Sequence, residues 1–504
     1  MVSKTYTVAF SGIDVLPVKT EVQLTNGLPV FTIVGLADKA ITESKERVRS
    51  ALHAIGLSLP AKHITVNLAP ADLVKEGTHY DLPIAMAILA GMDVLSAGAI
   101  ENYMMMGELG LDGSIRPVSG ILPASMAAKG KEMGFICPAE QGSEAVWSGN
   151  NQILAPANLV ALLNHFKGRQ LLARPEMKPS LPEVGLPDMK DVKGQETAKR
   201  ALEICAIGGH NVLMVGPPGS GKSMLASRLP SIMPPLRSEE ILEISKIHSV
   251  AGLLKEGRLM THRPFRDPHH SASTPALVGG GLKAKPGEVS LAHHGILFLD
   301  ELPEFSRQSL EALRQPLETG QVSVSRANSH VVYPAQFQLV AAMNPCRCGN
   351  LGIKGHECPR APRCAQEYQA KLSGPLLDRI DLQIDVPAVP PWQLKETRGG
   401  ESSADILKHV MAVLEFSAPR FQNMPISKNA QADGVVLEEI AHLSDEAKNL
   451  LVQAAEKWLF SARSYHRLIR IARTIADMEF SDEIKKNHMA EALSFRRRIG
   501  QKEE

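Results

Sequence analysis

The run Asn211-Val-Leu-Met-Val215 leads without a break into Gly216-Pro-Pro-Gly-Ser-Gly-Lys-Ser223. A short apolar run of this kind forms a buried parallel strand, and the glycine-rich octet after it has the Walker A pattern. Together they commit the region to strand–loop–helix units, a mostly parallel sheet covered by helices. The glycines let the loop turn its backbone N–H groups towards phosphate oxygens, and the following helix adds its positive end. Gly216, Pro217, Pro218, Gly219, Ser220, Gly221, Lys222 and Ser223 are thus the candidate contacts for ATP. Lys222 would neutralise the β and γ phosphates, and Ser223 would place its hydroxyl on Mg2+.

Further along, Gly295-Ile-Leu-Phe-Leu-Asp-Glu301 is another buried strand, ending in two carboxylates in the Walker B arrangement. Asp300 can hold the Mg2+ shell and Glu301 can polarise an attacking water. Gln338-Leu-Val-Ala-Ala-Met-Asn344 is a third strand, closing on an amide suited to orient water or sense the γ-phosphate. Leu376-Leu-Asp-Arg-Ile-Asp381 offers Arg379 on a short exposed turn, where it can serve as an arginine finger for a neighbour's nucleotide. Alone, an Asn at a strand end is usually a cap and an Arg near an Asp a surface pair. In this order after a Walker pair they complete a hydrolytic constellation.

At 504 residues the chain exceeds what one core usually organises, so roughly two to four domains are expected. Residues 1–167 alternate β-like runs such as Val30 to Val34 and Ile64 to Asn67 with amphipathic stretches such as Ala40 to Ile55, the pattern of a mixed α/β domain. Residues 168–187 carry four prolines and read as a linker. The ATPase core then occupies 188–394, and 395–504 is expected to form a helical lid. With 44% hydrophobic and 22% charged residues the composition fits a soluble globular protein. No signal peptide and no membrane span are expected, and the expected location is the cytoplasm. The net charge of +1 gives no overall basic field, so nucleic-acid contact would need local patches or a channel built by several subunits.

Four of the six cysteines, Cys346, Cys348, Cys358 and Cys364, crowd into one loop rich in Gly and Pro. Four thiolates can enclose a tetrahedral structural Zn2+. C-x-C followed by gaps of nine and five residues is less specific than paired CxxC knuckles, so reduced free thiols, or His356 in place of one thiolate, stay open.

The Walker A loop, Pro264-Phe-Arg-Asp-Pro-His-His-Ser-Ala-Ser273, Gly279-Gly-Gly281, Pro286 to Gly295, Leu299-Asp-Glu-Leu-Pro-Glu-Phe305 and Ser373 to Asp381 resemble the magnesium-chelatase-like AAA+ proteins. Within that group the chain is similar to the YifB/ComM family over nearly its whole length. The resemblance implies a hexameric AAA+ ring acting on single-stranded or branched DNA, a branch-migration helicase working in recombination during natural transformation. It implies further that Glu301 is the catalytic glutamate, Asn344 the sensor-1 residue and Arg379 a finger acting in trans. The sensor-2 region would be Ser461 to Arg467 with Ile471 to Asp477, Arg463 being the first candidate and Arg467 the second. At helical spacing Arg463, Arg467, Arg470 and Arg473 share one broad face, which could equally be a solvated basic surface.

Gly107 to Gly120 and Glu76-Gly-Thr-His-Tyr-Asp-Leu-Pro83 resemble segments of the Lon protease domain, so a Lon-protease-like α/β fold is expected at the amino terminus. His79 and Leu122 stand where that family places its serine and lysine, and without hydroxyl or amine the dyad cannot form. The domain therefore reads as a non-proteolytic scaffold or DNA-facing module. In related ring ATPases, inserts equivalent to Leu277–Glu288, with Lys283 and Lys285, and to the hairpin Gln321–Tyr333, with Arg326, project into the central pore. These three residues are the candidate DNA contacts. The competing functions are a metal-insertion motor like magnesium chelatase, a Lon-like regulatory protease and a nucleotide-switched scaffold.

Overall fold

The computed structural model describes residues 2–178, 185–281, 284–326, 329–351, 358–389, 400–458 and 460–496. Its amino-terminal unit is built on a seven-stranded sheet with the order Phe31–Val34, His63–Ala69, Asp14–Thr25, Val2–Ser11, Tyr103–Met105, Gly134–Ile136, Ile153–Leu154. Val2–Ser11 and Asp14–Thr25 form a hairpin in which Ser11 pairs with Asp14, and Gly12 supplies the left-handed residue (φ 68°) that so tight a turn requires. Helix Asp81–Gly91 is apolar on nearly every side and buried through Ala90, packed between this hairpin and helix Lys39–Ala54. Its buried Asp81 is gripped in two-pronged fashion by Arg47, Nε to Oδ2 at 2.6 Å and Nη2 to Oδ1 at 3.0 Å.

The central unit holds a five-stranded sheet with the order Phe265–Arg266, Ile296–Leu299, Gln338–Met343, Val212–Val215, Leu382–Asp385, and every pairing is parallel. The second, third and fourth of these strands are buried throughout, as a sheet covered on both faces demands. Side chains alternate between two cores. Val212, Met214, Ile296 and Val340 pack towards the carboxy-terminal helices, while Leu213, Val215, Leu297 and Leu339 pack with Leu277, Val324, Val331 and Tyr333. Because the strands are parallel, all their carboxyl ends leave at one edge of the sheet and all their amino ends at the other.

The carboxy-terminal region is helical: Ser403–Ser417, Gly434–Ile440, Asp445–Trp458, Ala462–Met478 and Lys486–Ser494. The arginine-bearing face of Ala462–Met478 is not a solvated surface. Arg473 is fully buried, donating to Asp477 Oδ1 at 3.0 Å and to the carbonyls of Ser481 and Asp482, and Arg467 is buried as well. Arg463 alone of the four is exposed.

The amino-terminal unit is seated on the core through helix Ser238–Ala251. Gly120 N–H donates to the Ser249 carbonyl at 3.0 Å, and the buried Glu144 accepts from Ser249 Oγ (2.5 Å) and Leu122 N–H (3.1 Å). Among the described residues no helix is long and apolar enough to cross a membrane.

Candidate functional site

Three strand ends converge at the carboxyl edge of the parallel sheet. The strand Val212–Val215 gives way to the glycine-rich loop, and Gly221 (φ 91°) turns the chain into the helix that starts at Lys222. Gly216 admits no side chain, since a Cβ there would stand 2.1 Å from the Val386 carbonyl oxygen. Lys222 Nζ donates to the carbonyls of Gly216 (2.8 Å) and Pro217 (2.9 Å) and to Asn344 Oδ1 (3.3 Å). Burial lowers its pKa, against the opposing pull of Asp300 and Glu301. A desolvated cation hydrogen-bonded to neutral oxygens suits an incoming anion. Ser220 Oγ is buried and has no hydrogen-bond partner among the described residues.

Ser223 Oγ donates to Asp300 Oδ2 at 2.7 Å, and Asp300 Oδ1 accepts the Glu301 N–H at 2.8 Å. That hydroxyl–carboxylate pair beside a phosphate cradle fits Mg2+, a hard cation that takes oxygen ligands. Glu301 is itself left-handed, at φ 50° and ψ 46°, a conformation uncommon for a residue with a side chain and concentrated at functional turns.

The structure adds residues to which the sequence assigns no role at the site. His270 Nδ1 lies 3.3 Å from Glu301 Oε2, and the Asp267 carboxyl has its pKa raised by burial and by the charge of Asp300. Both arrive through the pairing of Phe265–Arg266 with Ile296–Leu297. Gln195 Nε2 donates to the carbonyls of Ser220 (3.2 Å) and Pro387 (2.5 Å), tying the phosphate loop to the chain that leaves the last strand.

Asn344 runs through Pro345 into the cysteine loop. The Sγ atoms of Cys346, Cys348, Cys358 and Cys364 all lie within 4.8 Å of one another. Thiolates about 2.3 Å from a tetrahedral zinc stand roughly 3.8 Å apart, so the set fits that ion. The Asn350 backbone N–H and the neighbouring thiols bring the Cys348 thiol down to about 7. His356 lies outside the described residues. Gly349 (φ 79°) rests on the phosphate loop, where a Cβ would stand 2.5 Å from Pro218 Cδ.

A second convergence of possible ligands, Glu243, His293 and His294, has a different chemistry. His293 Nδ1 accepts the Gln336 N–H at 3.1 Å, so the neutral ring carries its proton on Nε2, which faces Glu243 Oε2 at 3.3 Å. Burial pushes the His293 pKa down to about 4. A ring so arranged offers a metal no lone pair.

At the opposite edge, where the strands begin, stands Arg379; contrary to the expected exposed turn, its side chain is largely covered, because Nη1 folds back onto the Pro375 carbonyl and Nη2 onto Glu318. Its carbonyl accepts from Asn211 Nδ2 at 2.9 Å, and Leu382 N–H bonds to the Asn211 carbonyl. A four-residue strand is about 13 Å long, so Arg379 and the phosphate loop of the same chain are separated by the width of the sheet. Arg379 Nη2 meets Glu318 Oε2 at 2.6 Å, and Arg463 Nη2 lies 3.7 Å from Glu318 Oε1. Both arginines line a groove of about 520 Å³ that also exposes Asn211, Asp378 and Arg470. Arg467 turns instead to the backbone of Leu377, Asp378 and Ile380.

Lys285 is exposed on the short ladder Gly279–Gly280 with Lys285–Pro286, which Tyr333 Oη ties to the second insert by donating to the Ala284 carbonyl at 2.7 Å. That insert is a hairpin, Gln321–Arg326 with Ser329–Pro334, in which Arg326 pairs with Ser329 beside the tip. Lys283 and the Arg326 side chain lie outside the described residues. The hairpin touches the amino-terminal unit, since a Cβ on Gly12 would stand 2.7 Å from Val331 Cγ1. His79 is buried, donates from Nε2 to the Val8 carbonyl (2.8 Å) and is held down to a pKa of about 4 by burial; Leu122 is core. A cavity of about 760 Å³ between the units is lined by His79, Ser119, Lys285 and Tyr333.

The chain matches known protein families over most of its length. The family model described as magnesium chelatase, subunit ChlI matches residues 188–394; those described as subunit ChlI of Mg-chelatase and as the subunit ChlI C-terminal region match 20–141 and 400–496. The chain is 43% identical to the uncharacterized protein YifB of Salmonella typhimurium over 492 residues, 97% of this chain and 96% of the relative. It is 42% identical to YifB of Escherichia coli over the same length, and 43% identical to the competence protein ComM of Haemophilus influenzae over 497 residues, 97% of this chain and 96% of ComM.

Proposed function

Because the chain belongs to the YifB/ComM family of magnesium chelatase ChlI-like ATPases, we propose that it is an ATP-driven DNA motor. It works in the cytoplasm as a ring of six copies and drives branch migration during the recombination steps of natural transformation. The observation that carries this reading is the separation of Lys222, Asp300 and Glu301 at one sheet edge from Arg379 and Arg463 at the other. Two half-sites on opposite edges suit head-to-tail contacts, in which one subunit's arginines reach the nucleotide of the next. In each site Lys222 and the loop N–H groups would hold the phosphates, Ser223 and Asp300 would hold Mg2+, and Glu301, with Asn344, would orient the attacking water. Mg2+ supplies charge neutralisation on the phosphates. The amino-terminal unit is a Lon-protease-like scaffold in which His79 and Leu122 leave no dyad.

DNA engagement falls to Lys283, Lys285 and Arg326, which a ring would repeat around one channel. Converting all three to alanine should slow strand movement on branched DNA far more than it slows basal hydrolysis. The dependence of DNA affinity on log salt should flatten, because each lost cation removes a phosphate contact whose formation releases counterions from the DNA. Parent-like unwinding at moderate salt would show these contacts to be wrongly assigned.

The ChlI description of the models matching residues 20–141 and 188–394 favours a metal-insertion motor as the second reading. ATPase rates measured alone and with single-stranded, duplex and four-way branched DNA separate the two. A motor on DNA is stimulated most by the single-stranded or branched forms, and a rate indifferent to all of them would overturn the proposal.

The cysteine set is proposed as a structural zinc centre. Purified protein should carry about one zinc per chain, and the Cys346→Ser, Cys358→Ser double variant should carry none. Absence of metal from parent protein prepared without chelator would remove the assignment.

A further inference from the structure

We infer that Arg467 is a positioning residue for the finger, acting through Arg379 on a neighbouring subunit's nucleotide. The inference rests on Arg379 being a finger in trans. Arg379 follows the four-residue helix Gly374–Leu377 on a turn at the open sheet edge, and the carbonyls at a helix end have no partners within the helix. Arg467 bonds the carbonyls at and just past this end: Nη1 donates to Ile380 O (3.0 Å) and Leu377 O (3.5 Å), and Nη2 donates to Asp378 O (2.8 Å) and Asp378 Oδ1 (3.2 Å). The backbone is thus gripped immediately before and immediately after Arg379. From the other side Asn211 Nδ2 holds the Arg379 carbonyl (2.9 Å) and Asp381 Oδ2 accepts the Asn211 N–H (3.3 Å). The main chain of the finger is fixed from two directions. Its guanidinium donates from Nη1 to the Pro375 carbonyl (2.7 Å) and from Nη2 to the exposed Glu318, and it is the second contact that an incoming phosphate can replace.

The choice of arginine follows from the geometry. One planar guanidinium presents donors along two edges and spans three carbonyls, whereas a lysine ammonium is a compact point charge that cannot. Arg463, one turn earlier on the same helix, leans towards Glu318, so this helix both shapes the finger and sets a second cation beside it. Preorganisation of this kind matters because misplacing a catalytic group by about 1 Å can lower a rate by about 10²-fold.

Arg467→Met keeps much of the side-chain length and removes every donor; Arg467→Lys keeps the charge. The methionine variant should lose about 10²-fold in turnover with nucleotide affinity unchanged, and the lysine variant should fall between it and the parent. The discriminating measurement is complementation in mixed rings with Lys222→Ala, a subunit that binds no nucleotide well but presents an intact finger. Mixing with Lys222→Ala should raise turnover above that of either component for Arg379→Ala, for Arg467→Met and for Arg467→Lys. If the Arg379 mixture recovers and both Arg467 mixtures do not, Arg467 serves its own subunit's fold or site and the inference is overturned. No recovery in the Arg379 mixture refutes the trans finger itself, and this inference with it.

Discussion

Replacing Arg379 by alanine should lower ATP turnover by about 10³-fold or more while leaving nucleotide affinity close to that of the parent. The side chain stands across the sheet from its own phosphate loop, so its loss removes nothing that binds ATP in the same subunit. What disappears is a cation that would meet charge developing on a neighbour's γ-phosphate, an interaction made chiefly in the transition state. Fluorescent-nucleotide titration alongside steady-state hydrolysis gives both quantities. A variant that hydrolyses normally, or one whose affinity falls in step with its rate, would refute the role.

Glu301→Gln should be similarly severe, about 10³-fold in turnover, with ATP bound at parental affinity and retained. The amide preserves shape and can still lie against His270, so the Asp300 and Ser223 arrangement should survive; what is lost is the negative charge that polarises water. Such protein should accumulate as a stable ATP complex, recoverable by gel filtration with unhydrolysed nucleotide. Normal hydrolysis in this variant would remove the assignment. Both substitutions should give the same silent enzyme alone, yet they differ in which subunit's site fails. A Glu301→Gln subunit spoils the site it carries, and an Arg379→Ala subunit spoils the one next door.

Much of this was readable from the chain because the nucleotide site is assembled from short contiguous runs. An apolar strand followed by glycines, or one ending in two carboxylates, carries its chemistry within about eight residues, where local pattern is strongest. The hairpin around Arg326 to Ser329 was equally local, and so was the crowding of four cysteines. What stayed hidden were the long-range pairings that no motif links. His270 reaches Glu301 only because two strands lie side by side, and Glu318 meets both Arg379 and Arg463 only across a helix interface. The arginine face of Ala462–Met478 illustrates the limit best. Helical spacing places four cations together, and even pairs Arg473 with Asp477 one turn on, but only tertiary packing decides that Arg473 is buried while Arg463 stays in solvent. Gly349 against Pro218 belongs to the same class, for nothing around either residue announces the other.

The parallel sheet with its phosphate-binding edge and its arginine edge has an arithmetical consequence for assembly. If each chain contributes half of two reaction centres, working centres count junctions and not chains. An open row of n copies has n − 1 of them and one orphaned half at either end; closing the row adds the missing centre and removes both orphans at once. A head-to-tail contact that did not close would go on extending. Dilution would therefore silence this protein without unfolding any of it, and the activity per copy would rise with concentration until the circle closed.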